Sequence, residues 1–212
     1  MNHLKFNPDE SSKIWITSDF HFSHKNIIKS TSSWQYKDIC REFDSVDHHD
    51  QYLVYLINKY VKYNHTLIFA GDWSFAGFEN IEKFYWQLEC HNIHFVLGNH
   101  DHHVEKNKEN IQKLFLSVQD RLHIEIGDRN FIVQHIPLET WEGIFKGWFH
   151  LFGHQHSNRI GPGRKMDIGI DKAGNLYKPY NIDEILEILE PIEIQGGIGD
   201  SNIEVETKLK RK

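Results

Sequence analysis

The sequence predicts an α/β protein, and three observations carry the prediction. Short β-rich runs stop abruptly at glycine or polar residues. Amphipathic helical stretches lie between those runs. The composition, 39% hydrophobic and 25% charged with only 5 prolines, is that of a globular chain and excludes disordered, collagenous and low-complexity classes. A length of 212 residues implies one compact domain, which at this size buries roughly 70% of the surface its unfolded chain exposes. We place that domain at residues 1–190 and read 191–212 as a flexible tail with a basic end.

In chain order, Lys13 to Thr17, Thr66 to Ala70 and His94 to Leu97 read as buried strands, the second stopped by Gly71 and the third by Gly98. Between them, residues 47–63 place Tyr52, Leu53, Leu56, Ile57, Tyr60 and Val61 at helical spacing, and residues 79–89 do the same with Ile81, Phe84, Tyr85 and Leu88. Strands alternating with such helices predict βαβ crossovers. Leu122 to Ile126 and Asn130 to Gln134 flank Gly127-Asp128-Arg129, a hairpin signal. His150 to Phe152 and Lys165 to Ile170 read as two further strands, and residues 183–189 as a closing helix on Ile185, Leu186, Ile188 and Leu189. No internal repeat is visible.

Composition also limits the setting. No apolar run approaches the roughly 18 residues of a bilayer span, and Met1 to Glu10 does not resemble a signal peptide. Cys40 and Cys90 cannot make a disulfide framework or a Cys-rich zinc site, which fits a reducing compartment. A soluble cytoplasmic protein with no membrane partner is the expectation. Lys and Arg number 24 against 30 Asp and Glu, and four of the basic residues lie in Lys208 to Lys212, so the body is strongly acidic. An acidic body argues against a broad duplex-binding face, leaving nucleic acid only the role of substrate. The chain also holds 16 His, the commonest metal ligand, so their placement matters.

In an open α/β sheet, ligands bind beyond the carboxyl ends of the strands. Here those ends carry Asp19-Phe20-His21, Gly71-Asp72, Gly98-Asn99-His100-Asp101, His135-Ile136-Pro137 and Gly153-His154-Gln155-His156. Any one of these is an ordinary turn or helix cap, but five separate strand ends delivering His, Asp or Asn make coincidence improbable. Oxygen and imidazole donors without Cys suit Mn, Fe, Zn or Ni. In Asp19-x-His21 and His154-x-His156, residues i and i+2 of an extended segment would face one side. Two cations about 3.5 to 4 Å apart need a bridging carboxylate, and Asp72 is the natural candidate. The glycines before Asp72, Asn99 and His154 would permit sharp turns and close approach to metal.

In this order and spacing the motifs resemble the calcineurin-like metallophosphoesterase superfamily. The runs Ser18-Asp-Phe-His-Phe-Ser-His-Lys-Asn-Ile27 and Met166-Asp-Ile-Gly-Ile-Asp171 are similar to a small single-domain branch found in bacteria and phages. The resemblance spans about residues 14 to 190. It implies a four-layer α/β/β/α sandwich of two mixed sheets and a dinuclear centre, Mn being the metal expected first and Fe, Zn or Ni next. It also implies that Asp19, His21, Asp72 and His156 hold one metal, and that Asp72, Asn99, His135 and His154 hold the other. His100 takes the general-acid position, with Asp101 orienting it through a hydrogen bond. A Gly-Asp-x-x-Asp-Arg run, widespread in the superfamily, is replaced here by Gly71-Asp-Trp-Ser-Phe-Ala76, which removes a supporting Asp and Arg.

The implied activity is hydrolysis of phosphomono- or diesters by in-line attack of a metal-bridging hydroxide. The lack of a basic channel favours small nucleotide-type substrates. A catalytically silent metal-binding scaffold and a nucleic-acid-processing nuclease are the alternatives. Around this set, His24 is a candidate phosphate contact or an ordinary loop residue. Asp167 and Asp171 are candidates to orient ligand histidines or to shape turns. Trp141, Phe145, Trp148 and Phe149 read as core or lid residues, with base stacking the competing role.

Overall fold

The computed structural model describes residues 2–35, 37, 40–106, 110–157, 163–171 and 177–194. Its strands are β1 (Asn2–Phe6), β2 (Ile14–Thr17), β3 (Thr66–Phe69), β4 (Ile93–Val96), β5 (Ser117–Gln119), β6 (Leu122–Ile126), β7 (Arg129–Val133), β8 (Phe149–Phe152), β9 (Lys165–Asp167) and β10 (Tyr180–Asn181). The α-helices are α1 (Val46–Tyr60), α2 (Phe78–Tyr85), α3 (His102–Lys106) and α4 (Ile182–Leu189). Two five-stranded sheets form, ordered β1-β6-β7-β8-β9 and β10-β2-β3-β4-β5.

The second sheet is built as the alternating pattern predicts. β2, β3 and β4 pair in parallel, with α1 and α2 as the crossovers. Residues on each strand divide between two cores. Leu67, Phe69, Ile93 and Phe95 pack with Leu53 and Ile57 of α1 and Ile81 and Phe84 of α2. Ile14, Ile16, Ile68 and Val96 point the other way, onto Ile124, Phe131, Val133 and Leu151 of the first sheet. This is the period of two on a sheet covered on both faces. On the outer face of the first sheet Ile132 of β7 is covered thinly by Trp141 and Ile144, with a 3-10 turn at Ile144–Lys146, which completes a two-sheet α/β sandwich.

Local chemistry sets the element ends. Ser45 caps α1 by accepting the amide of His48, and Asn181 with Glu184 forms a capping box on α4. The hairpin turn is the two-residue Gly127-Asp128, Ile126 pairing directly with Arg129, so β7 begins one residue earlier than the turn signal implied. The expected strand at 165–170 ends at Asp167, whose Oδ1 accepts the amide of Gly169 at 2.7 Å; Ser18 and Gly169 then form a bridge toward the second sheet. β1, in a segment read only as polar, pairs in parallel with β6 at the sheet edge. Within 191–194, the Ile192 carbonyl accepts from Arg164 Nε at 3.0 Å. Residues 195–212, including the basic Lys208 to Lys212, lie outside the described residues. Among the described residues no helix is long and apolar enough to cross a membrane.

Candidate metal centre

The carboxyl ends of β2, β3, β4, β7 and β8 converge, bringing Asp19, His21, Asp72, Asn99, His135, His154 and His156 together. At the centre stands Asp72, whose Oδ2 lies 3.6 Å from His21 Nε2 and 3.4 Å from His135 Nε2. On one side, His21 Nε2 and His156 Nε2 are 3.1 Å apart, and Asp19 Oδ1 is 3.7 Å from the first and 3.6 Å from the second. On the other, Asn99 Oδ1 is 3.0 Å from His135 Nε2 and 2.9 Å from His154 Nδ1. Asp19, His21, Asp72 and His135 are buried, whereas Asn99, His154 and His156 face outward, so the cluster is closed behind and open in front.

The backbone explains how five loops meet so closely. Asp19, His21, Asp72, His154 and His156 all have φ between +46° and +69°. Non-glycine residues seldom adopt this left-handed region, and strain of this kind collects at functional sites. The two pairs are therefore not extended: Asp19 and His21 still meet in one cluster, as expected, but His154 and His156 do not face one side. His156 turns toward His21 while His154 turns toward Asn99. The glycines meet a steric demand. A Cβ on Gly98 would lie 2.3 Å from Asp72 Oδ1, and one on Gly71 (φ +94°) would lie 2.6 Å from His135 Nδ1.

The donor chemistry fits a cation. His135 Nδ1 donates to the Ala70 carbonyl at 2.7 Å, so in the neutral ring Nε2 is a bare acceptor, and it faces two more acceptors, Asp72 Oδ2 and Asn99 Oδ1. Burial opposes a charge on His135, yet the Asp72 and Asp19 carboxylates raise it to about 9. Burial likewise works against the Asp72 carboxylate, but His135 and His21 hold it well below the usual range. The pocket of acceptors thus calls for positive charge, which a proton or a metal ion can satisfy. Ligand atoms of Asp19, His21 and His156, and those of Asp19, Asp72 and His135, lie within 4.8 Å of one another, so these groups can hold a metal ion.

Surrounding residues orient the candidate ligands. His156 Nδ1 donates to Asp171 Oδ2 at 2.7 Å, which fixes its tautomer and leaves Nε2 free. Asp167 instead accepts the amides of Ser157 and Gly169, a turn role. Asp101 departs from expectation. Its buried carboxylate accepts the amides of Asp72 (2.7 Å), Gly98 (2.7 Å) and Trp73 (3.0 Å), tying the loop after β3 to the loop after β4; these bonds, not one to the His100 ring, engage it among the described residues. The reason is geometric: side chain and imidazole leave the backbone in different directions at adjacent residues of this tight turn. Burial and then the Asp72 carboxylate push Asp101 up to about 6 despite the three amides.

The exposed His100 ring stands over the centre, 5.8 Å between centroids from His21 and 5.0 Å from Phe75, while its amide donates to Asp72 Oδ1 at 2.9 Å. His24 stacks on Phe75 at 3.8 Å, and burial, with the neighbouring His21, lowers its pKa to about 3. Trp141 and Phe149 are core residues and Phe145 is exposed. Arg41, which sequence reasoning missed, donates to both oxygens of Asp171. Its signal was one basic residue in a segment without periodicity.

No family model matches the chain. An uncharacterized protein of Methanocaldococcus jannaschii is 29% identical over 197 residues, a match covering 89% of this chain and 97% of that one. Among solved structures, a protein of unknown function from Aquifex aeolicus is similar with a TM-score of 0.59 at 22% identity, covering 82% of this chain and 98% of that one. This likeness shows a shared fold. An archaeal phosphodiesterase is more distantly similar, with a TM-score of 0.46, 22% identity, and 74% and 82% of the two chains covered.

Proposed function

We propose that this protein is a dinuclear-metal-dependent phosphoesterase acting on small nucleotide-type mono- or diesters. The observation that carries the reading is the position of Asp72 Oδ2 between His21 Nε2 and His135 Nε2, one carboxylate oxygen shared by two sets of ligands. Asp19, His21, Asp72 and His156 would hold one cation, and Asp72, Asn99, His135 and His154 the other. Two divalent cations would supply Lewis-acid stabilisation of phosphoryl oxygens and a lowered pKa for water near neutrality. Mn is the metal we would load first, with Fe, Zn and Ni as the other members suited to this oxygen and nitrogen donor set.

The chain's own residues supply the rest. Asp171 and the Ala70 carbonyl hold His156 and His135 in the tautomers that present Nε2. His100, exposed beside His21, would give a proton to the departing alcohol oxygen. Asp101 fixes the loop that carries Asn99 and His100. The test is a hydrolysis panel. Purified protein with added Mn is assayed on an aryl phosphomonoester, the matching diester and a nucleotide set, with metal-stripped protein as control. Activity on at least one class that disappears on stripping is expected. Full metal loading with no turnover on any of them would leave a metal-binding scaffold instead.

A further inference from the structure

Arg41 is 3% exposed, on a segment tied to its neighbours by backbone bonds from Arg41 N to Ile27 O and from Lys29 N to Arg41 O. Its guanidinium uses all five N–H donors. Nε and one Nη2 proton grip Asp171 Oδ1 (2.5 Å) and Oδ2 (2.6 Å); the second Nη2 proton goes to Asp19 O (2.6 Å). Nη1 donates to Phe20 O (2.7 Å) and to His49 Nε2 (2.6 Å). With Nε2 accepting, His49 donates from Nδ1 to Asp50 Oδ1 at 2.8 Å, and Asp50 accepts the amide of Ser23.

This one side chain therefore reaches two parts of the same half of the centre. It holds His156 through Asp171, and it holds the loop bearing Asp19 and His21 through two carbonyls. That loop has left-handed φ at Asp19, His21 and Ser23, a strained conformation that persists only where the surroundings over-determine it. The opposite half is held otherwise: His135 by Ala70 O, and Asn99 by His135 and His154.

We infer that Arg41 is a positioning residue for the Asp19, His21 and His156 half of the centre, acting through Asp171 and the Asp19–Phe20 backbone. The inference rests on the metal-centre reading above. Lysine cannot replace the planar fork, having three donors on one atom, and loss of a partner that orients a ligand histidine typically weakens metal binding about 10- to 100-fold.

The full chain, stripped of metal, is titrated with Zn²⁺ by calorimetry as wild type, Arg41→Lys and Asp171→Asn, and imidazole ¹⁵N spectra report which rings coordinate. The wild type is expected to take two equivalents. In both variants one equivalent weakens about 10- to 100-fold, with His21 and His156 losing their coordination shifts while His135 and His154 keep theirs. Equal weakening of both equivalents, or weakening of neither, would overturn the role of Arg41. Asp171→Asn keeps an oxygen for His156 and decides the matter if Arg41→Lys does not fold. A wild type that binds no Zn²⁺ would instead overturn the metal-centre reading, and this inference with it.

Discussion

His135 and Asp72 meet at 3.4 Å, Nε2 to Oδ2, although the Nδ1 proton of the imidazole is already committed to the Ala70 carbonyl. Close approach of buried acceptors is stable only with positive charge between them. Metal binding should therefore stabilise the fold strongly, by about 4 kcal/mol at a thousandfold excess over Kd. Calorimetric melting of chelator-treated protein, before and after adding back Mn, measures this. An unchanged Tm would count against a cation at this position.

Asp72 Oδ2 lies 3.6 Å from His21 Nε2 and 3.4 Å from His135 Nε2, one histidine from each side of the centre, while Asp19 belongs to both groups that can hold a metal ion. Asp72→Asn keeps an oxygen but removes the charge, so metal content should fall below one equivalent and hydrolysis should drop by at least about 10²-fold. Circular dichroism should remain that of the wild type. Two metals per chain by elemental analysis, together with near-normal turnover, would refute the bridging role.

Asp101→Asn separates a structural role from a catalytic one. The carboxylate accepts three buried amides, and an amide side chain must turn its NH₂ toward at least one of them. A loss of about 3 kcal/mol in stability is expected. Turnover should fall alike on activated and unactivated esters, because the turn carrying Asn99 loosens. Loss confined to substrates with poor leaving groups would return Asp101 to the role of orienting His100.

His100→Asn should show the opposite pattern. An alkoxide must be protonated as it leaves, whereas a nitrophenolate departs on its own. Loss of about 10² to 10⁴-fold on a nucleotide ester, with little change on the aryl ester and in metal content, is the expected outcome. Parallel kinetics on the two substrates decide it, and equal losses would remove the general-acid assignment.

The candidate ligands were legible because each stands where an apolar run stops, and the carboxyl ends of parallel-paired strands lie along one edge of each sheet. What escaped the sequence depended on three dimensions. Arg41 belongs to no periodic pattern and lies 130 residues from Asp171, so its pairing with that candidate orienting residue could not be read. The role of Asp101 turned on which way a side chain leaves a tight turn. β1, whose residues are mostly exposed, carries no hydrophobic alternation strong enough to mark an edge strand. The left-handed backbone of Asp19, His21, His154 and His156 was hidden for a related reason: Asp and His tolerate that region without requiring it.

His150, one of the histidines with no part in the centre, supplies a prediction about stability. The ring is fully buried on β8. Its Nδ1 donates to Ile132 O at 3.0 Å, and its Nε2 accepts the amide of Leu138 at 2.9 Å. A second proton would have to sit on Nε2, facing that amide hydrogen. Burial accordingly lowers His150 to about 4, with Lys165 adding to the effect against the Ile132 carbonyl. In the unfolded chain it titrates near the usual value of about 6.5. Above that pH both states are neutral and stability is unaffected. As pH falls from about 6.5 toward 4, the unfolded chain takes up a proton that the folded chain refuses, so stability is lost, by up to about 3 kcal/mol. Imidazole ¹⁵N spectra should show this ring unchanged from pH 8 to 5, and His150→Gln should shrink the fall in stability between pH 7 and 4.5. A ring that titrates near 6.5 in the folded protein would show that the Leu138 amide does not hold Nε2 as an acceptor.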